Sequence, residues 1–326
     1  MKMDRNSRWV ACTAALLAAV WLAGCGDAPG VTGHFDKNFT VNGPVHLEIA
    51  NGSGDVHVST AAGTEVRVHG EVHLHEWGDD KDKMLDSLRT NPPVSQEGNL
   101  IRVGQLPRSF SHSSIDYTIE VPPQSEVRCA SGSGDVEVDG IQGPATFTSG
   151  SGNVTTHSIG GDVQIKTGSG DLSLDQVQGQ VQVTTGSGDI EVHTVKGAVR
   201  LSTGSGDIVI THPGDNVVAD TGSGDVDVSD VVSDLRLHTG SGDIKVNGNP
   251  GAMNYWDLHA SSGNVTLNVP QSASFRLYAH TGSGDINPQI PVVMEGTVGK
   301  NELRARIGDG KARVEIETGS GTIELD

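Results

Sequence analysis

Asp189-Ile-Glu-Val-His-Thr-Val-Lys-Gly-Ala-Val-Arg-Leu-Ser-Thr-Gly-Ser-Gly206 is one unit of a pattern that occupies most of this chain. The marker of the unit is Gly-Ser-Gly-Asp or a close variant. Its fourth residue falls at Asp55, Asp135, Asn153, Asp171, Asp189, Asp207, Asp225, Asp243, Asn264, Asp285 and Thr322. From Asp135 to Asp243 the step is 18 residues six times running, followed by steps of 21, 21 and 37. A fixed period of this length is the signature of a solenoid, in which each unit packs only on its neighbours.

With Asp189 as position 1, the apolar places are 2, 4, 7, 11 and 13. Position 2 is Val136, Val154, Leu172, Ile190, Ile208, Val226 and Ile244, and position 13 is Phe147, Ile165, Val183, Leu201, Ala219 and Leu237. The pairs 2/4 and 11/13 alternate in the β manner, are rich in β-branched residues and are separated by glycine-rich corners. Each unit therefore reads as two short strands and two turns. Neither strand can bury its apolar face alone, whereas coils stacked about 4.8 Å apart align their aliphatic rows and pair their backbones. At about 1.5 kcal/mol for each buried Val or Ile, five such residues must offset the ordering of a whole unit, so a single coil is unstable and the stack cooperative. The predicted fold is all-β: a parallel β-solenoid (β-helix) of about 18-residue coils, with an N-terminal capping insert that contains one short helix.

Glycine at positions 16 and 18 suits a tight corner. Ser or Thr at position 15 and the aspartate at position 1 flank it, and their short side chains are expected to bond local backbone N–H groups. Asp135, Asp171, Asp189, Asp207, Asp225, Asp243 and Asp285 are thus predicted to form a structural turn ladder. Calcium is the alternative, because aspartate in a glycine-rich β-roll corner resembles the calcium-binding nonapeptide repeats. Two features weigh against it: one carboxylate recurs per unit, and position 1 accepts Asn153, Asn264 and Thr322, which cap a turn but bring no charge. A row of aspartates can still attract loosely held counter-ions.

Residues 1–24 read as a signal peptide. Lys2, Arg5 and Arg8 precede an apolar run from Trp9 to Ala23, short for a membrane span. Leu22-Ala23-Gly24-Cys25 looks like a bacterial lipobox, which makes Cys25 the lipidated residue. Gly26 after the cysteine, by resemblance to sorting patterns, favours the outer membrane over inner-membrane retention. The expected address is the bacterial cell envelope, lipid-anchored, on the periplasmic or surface face. Of the three cysteines, Cys12 leaves with the signal and Cys25 carries lipid, so Cys129 has no partner for an intramolecular disulfide. Cys129 falls at position 13, an inward place. Removing residues 1–24 takes away three basic residues and one acidic, moving the net charge from −19 to −21. That surface repels nucleic acid and suits cations or basic partners.

Residues 25–38 read as the anchor cysteine and a tether. Residues 39–134 hold the first coil and the cap insert, and 135–326 the solenoid repeats. Within the insert, Val66, Val68, Val72 and Leu74 alternate with polar residues. Asp79, Asp80, Met84, Leu85 and Leu88 suggest a short amphipathic helix stopped by Pro92-Pro93. Two strands follow, around Leu100–Val103 and Ile115–Val121. His69, Glu71, His73 and His75 share one side of a strand, but three ligands along one extended strand span too far for a single ion, and a solvated polar face is the expectation. After Asp243 the regularity loosens: Met253 and Tyr255 are placed outside and Trp256, at position 11, in the core. The step from Asp285 to Thr322 fits a degenerate coil around Leu303–Ile307 or a surface loop at Asn287–Lys300.

With those residues in hand, the chain from about Val41 to Asp326 resembles the bacterial putative-adhesin domain of unknown function, which shows the same Gly-Ser-Gly-Asp-Ile/Val repeats, an N-terminal insert with a short helix and a terminal Thr-Gly-Ser-Gly-x-Ile. Similar β-solenoids occur in envelope-stress sensor proteins. The resemblance implies adhesion and offers no catalytic residues. The favoured reading is a non-catalytic, adhesin-like envelope lipoprotein, without cofactor, that binds a protein or glycan. An envelope-stress sensor or scaffold is one alternative. The other is a polysaccharide-active β-helix enzyme, against which stand the short uniform coils, with no G-x-S-x-G elbow and no clustered metal motif. Departures from the repeat mark the candidate partner-binding residues: His73, His75, Trp77, Arg108 and Phe110 on the insert, then Met253 and Tyr255.

Overall fold

The structure is a computed structural model and describes residues 33–74, 81–106, 113–295 and 299–326. The signal peptide and Cys25 lie outside the described residues. In the unit that begins at Asp189, Ile190–Val195 and Val199–Ser205 are strands. The following unit pairs with both in parallel, Ile190 opposite Ile208 and Val199 opposite Val217. The offset is one period, so like positions stack. Among the described residues this produces one sheet of 14 strands and one of 15, whose inner faces share a continuous aliphatic core. Ile190, Val192, Val195, Val199 and Leu201 are each no more than 2% exposed, as positions 2, 4, 7, 11 and 13 require. Cys129 is buried in the same core, where desolvation pushes its thiol up to about 12. Trp256 is buried too, and satisfies its indole N–H on the Ser233 carbonyl at 2.7 Å.

Position 15 supplies a sixth inward side chain. Thr203, Thr221 and Thr239 are buried and donate to the carbonyls of Gly188, Gly206 and Gly224 at 3.3, 3.1 and 2.9 Å. They were expected to accept from local N–H groups. Facing inward, they meet carbonyls of the neighbouring corner, while Thr167, Thr185 and Thr203 also reach the carbonyl two residues on in their own corner; in each case the hydroxyl is the donor. At that corner Gly206 has φ 145°, and a Cβ on it would lie 2.1 Å from the Gly188 carbonyl oxygen. Close stacking, as much as turn geometry, therefore demands glycine. At the opposite corner position 6 is left-handed in five coils without glycine: Ser158, Gln176, Thr194, His212 and Asp230 have φ between 52° and 59°. Such a conformation costs about 1 kcal/mol or more for an L-residue, which the paired neighbours on either side impose.

The ends of the stack depart from sequence order. Leu100–Val103 and Ser113–Val121 form the outermost N-terminal coil, stacked on His46–Ser53 and Val56–Thr60, which in turn stack on Glu126–Ser133 and Val136–Asp139. At the other end Phe275–Ser283 is outermost. Ala312–Ser320 returns to sit between it and Tyr255–Ser262, so the last strand in sequence, Ile323–Leu325, is not the last in space. The chain thus leaves one rung open at each end and fills it later.

Antiparallel strands then close both ends. Glu65–Leu74 lies against Ser113–Val121, Gly33–Thr40 lies against Glu65–Leu74, and Val94–Glu97 lies against Leu100–Val103. Gly33–Thr40, part of which was expected in the tether, is a strand. The predicted helix is Lys81–Thr90, with Leu85 and Leu88 buried. At the C-terminal end Glu302–Ile307 pairs antiparallel with Phe275–Ser283. It is a second cap, which overturns the first of the two alternatives for this stretch, the degenerate coil around Leu303–Ile307. Reversing direction at the edge suits a terminal strand, since the next parallel rung is not available to it.

Candidate functional site

The aspartate row is a relay between coils. Oδ1 of each residue accepts the backbone N–H of its counterpart one rung on: Asp55 donates to Asp116, Asp135 to Asp55, Asn153 to Asp135 and so on through Asp189, Asp207, Asp225 and Asp243 to Thr322 on Asn264, at 2.7–3.0 Å. The bonds were expected to be local. An extended corner turns the side chain along the stack axis, so the nearest donor belongs to the neighbouring coil. Asparagine serves as well as aspartate because only one acceptor oxygen is used. Asp116 opens the relay although no Gly-Ser-Gly precedes it, and only its pairing, Tyr117 opposite Val56, reveals the role. Thr322 closes it, which leaves Asp285 at the equivalent place in the outermost coil beyond the last side-chain acceptor. Among the described residues no three His, Cys, Asp or Glu side chains gather in a way that could hold a metal ion.

The insert residues divide. His75, Trp77, Arg108 and Phe110 lie outside the described residues. His73 is half-buried, with Nε2 2.8 Å from Asp116 Oδ2, so it braces the first rung. His69 sits 2.7 Å from Asp36 Oδ1, and that hydrogen bond raises its pKa above 6.5. The polar face expected on this strand is thus a set of pairs with its neighbours.

Met253 and Tyr255 open onto a different surface. Met253 is 92% exposed, with φ 74°. Tyr255 is half-buried, and burial together with its 2.8 Å hydrogen bond to Glu315 pushes the phenol up to about 12. Both line a recess of about 1130 Å3 on the outer face of the 15-stranded sheet, with Arg276, Tyr278, Arg304 and Arg313. Pairing explains the grouping. Tyr255 stands opposite Arg313, Arg313 opposite Arg276, and Arg276 opposite Arg306, which sets three arginines on three adjacent strands. One row along, Glu315 stands opposite Tyr278 and Tyr278 opposite Arg304. The Arg313 guanidinium lies 5.5 Å from the Tyr255 ring centre and that of Arg304 lies 5.2 Å from Tyr278.

Like charges on directly opposed strand positions destabilise a sheet. Here the outer two are partly compensated, Arg313 by Glu315 at 3.2 Å and Arg306 by Glu295 at 3.2 Å. Arg304 is likewise held by Glu302 at 2.7 Å. Arg276, between them and exposed, has no ion pair among the described residues. The tyrosines and guanidiniums form a flat, donor-rich floor for a planar or anionic ligand. Of this group, the residue reading singled out Met253 and Tyr255. Arg276, Tyr278, Arg304 and Arg313 carry no local signal, because the late return of Ala312–Ser320 brings them together. A second recess of about 580 Å3 runs along the middle of the same face, over Thr146, Gln164, Gln182 and Arg200, and is mostly uncharged.

No curated protein matches the chain. Among solved structures it is similar to a putative adhesin from Bacteroides fragilis, at 12% identity over 91% of this chain and 99% of that one, with a TM-score of 0.38. It is similar to a putative lipid binding protein from Parabacteroides distasonis at 10% identity, over 90% and 97% of the two chains, with a TM-score of 0.36. A putative cell adhesion protein from Clostridium sporogenes shows 14% identity over 89% and 97%, with a TM-score of 0.27. The pattern of one domain family matches residues 111–220 and again 214–326, the greater part of the sequence. By that match the chain belongs to the family described as Toastrack DUF4097.

Proposed function

We propose that this protein is a non-catalytic, adhesin-like scaffold of the bacterial cell envelope, tethered through a lipidated Cys25, which displays its C-terminal recess to a protein or glycan partner. One observation carries the reading: the fold spends stability to set Arg313, Arg276 and Arg306 side by side, with Tyr255 next in the row. Along the coils from Asp135 to Asp243 no outward arginine or lysine stands opposite another. Two of the carboxylates round the recess are bound, Glu315 to Arg313 and Tyr255 and Glu295 to Arg306, which suits holding a ligand more than transferring its protons. Anchoring by an acylated cysteine contributes about 0.8 kcal/mol per buried methylene and leaves the stack projecting from the membrane.

A photo-crosslinking side chain placed at Met253 in intact cells tests the reading against the same group placed at Val218, on the middle of the sheet. A discrete adduct from Met253 and none from Val218 is the expected result. Equal adducts from both, or none from Met253, would count against the recess. Fatty-acid labelling that disappears in Cys25→Ser tests the anchor.

A further inference from the structure

The recess carries more than a site: it carries a ligand class. We propose that its occupant is an acidic polysaccharide, bound through the carboxylates of its sugar rings; this rests on the recess being the partner surface. The first argument is charge. The chain has 22 Lys and Arg against 41 Asp and Glu, yet Arg276, Arg304, Arg306, Lys311 and Arg313 converge on one end of one sheet face. Arg313 and Arg306 share their charge with carboxylates, while Arg276 offers its whole guanidinium fork outward. A fork of that shape takes a carboxylate in two parallel hydrogen bonds.

The second argument is the company the arginines keep. Tyr255 and Tyr278 stand on two strands separated by Ala312–Ser320, each half-buried and each under a guanidinium. Half-exposed tyrosine rings, each with a guanidinium against one face, present their remaining apolar surface to a pyranose ring. Glu317 adds an acceptor for sugar hydroxyls beside them. Carboxylate, apolar ring face and hydroxyl donors in one repeating polymer match these three features together. An acidic peptide satisfies the arginines but has no ring for either tyrosine. A phospholipid surface would meet the glutamates and the strongly negative body of the protein. The third argument is shape: the recess is open and long, crossing adjacent strands about 4.8 Å apart, a step comparable to one sugar ring, so a chain can lie across it with successive rings over successive strands.

Calorimetry of the purified protein with polygalacturonate tests the proposal, with fully methyl-esterified polygalacturonate and poly-glutamate as paired probes. Binding to the free acid that weakens as salt rises is expected, with at least a tenfold loss on esterification and a similar loss in Arg276→Gln. Arg276 is exposed and pairs with no carboxylate among the described residues, so Arg276→Gln should melt as the native chain does, and Arg200→Gln, exposed on the middle of the same face, is the control that should keep binding. Equal affinity for the ester, or an unaffected Arg276→Gln, overturns the proposal. Poly-glutamate bound as tightly as polygalacturonate overturns the sugar assignment in favour of an acidic protein. No binding to any probe while Met253 still crosslinks in cells overturns the ligand class and leaves the recess as the partner surface. Tight polygalacturonate binding with no crosslink from Met253 does the reverse.

Discussion

Replacing Asp207 by asparagine and by alanine separates two properties of its carboxylate. Asp207 Oδ1 accepts the Asp225 N–H at 2.8 Å, and the Asp207 N–H donates to Asp189 at 2.8 Å. With ladders about 4.8 Å apart, unit charges one rung apart repel by about 0.9 kcal/mol in water. A Debye length of about 8 Å at physiological salt reduces this to about 0.5 kcal/mol per neighbour, or about 1 kcal/mol for the two flanking aspartates. Asparagine keeps the acceptor and gives up the charge assistance, a loss of about 1 kcal/mol. The effects cancel, so Asp207→Asn should be near neutral at physiological salt. Near 0.01 M salt it should gain about 0.5 kcal/mol over the native chain, and near 1 M it should lose about 0.6 kcal/mol. Asn153 and Asn264 already occupy the relay in this way. Alanine removes the acceptor as well and should cost about 0.5–1 kcal/mol more than asparagine at every salt concentration. Urea titrations at three salt concentrations, followed by the fluorescence of the buried Trp256, measure all of this. If Asp207→Asn falls as far as Asp207→Ala regardless of salt, the reasoning fails: the carboxylate would then hold something an amide cannot, a bound calcium ion first among the candidates.

Gly206→Ala should lower stability by more than about 3 kcal/mol, since its Cβ would sit 2.1 Å from the Gly188 oxygen at φ 145°; a melting temperature like that of the native chain would refute the stacking argument. Asp36 raises the His69 pKa, chiefly by a direct hydrogen bond. A raised value stabilises the fold in full below about 6.5 and is lost as pH climbs through the folded value, so the Gly33–Thr40 pairing should weaken there, by no more than about 0.5 kcal/mol given the exposure of both groups. An NMR titration should place the His69 midpoint above 6.5, and Asp36→Asn should return it towards that value. The Cys129 thiol, buried and pushed up to about 12, should ignore a thiol reagent in the native chain and react once urea unfolds it; reaction at a free-thiol rate in the native chain would contradict the burial.

The apolar spacing within eighteen residues dictated the two strands of each coil, the inward rows from Ile190 to Leu201 and the glycine corner, because those depend on contacts along one unit and on copies one period away. The same regularity placed Cys129 and Trp256 in the core. Where the period ends, so does that reach. Asp116 as the opening rung, the return of Ala312–Ser320 between two older coils, and the antiparallel caps all depend on which edge is vacant when a strand arrives, a choice among distant partners that no local pattern encodes. The direction of the aspartate bonds was hidden for a related reason: a corner residue has donors both beside it and above it, and only the stacked geometry shows which is nearer. The arginine row follows from the late return alone, since Arg276, Arg306 and Arg313 become neighbours only when the stack has been completed out of order.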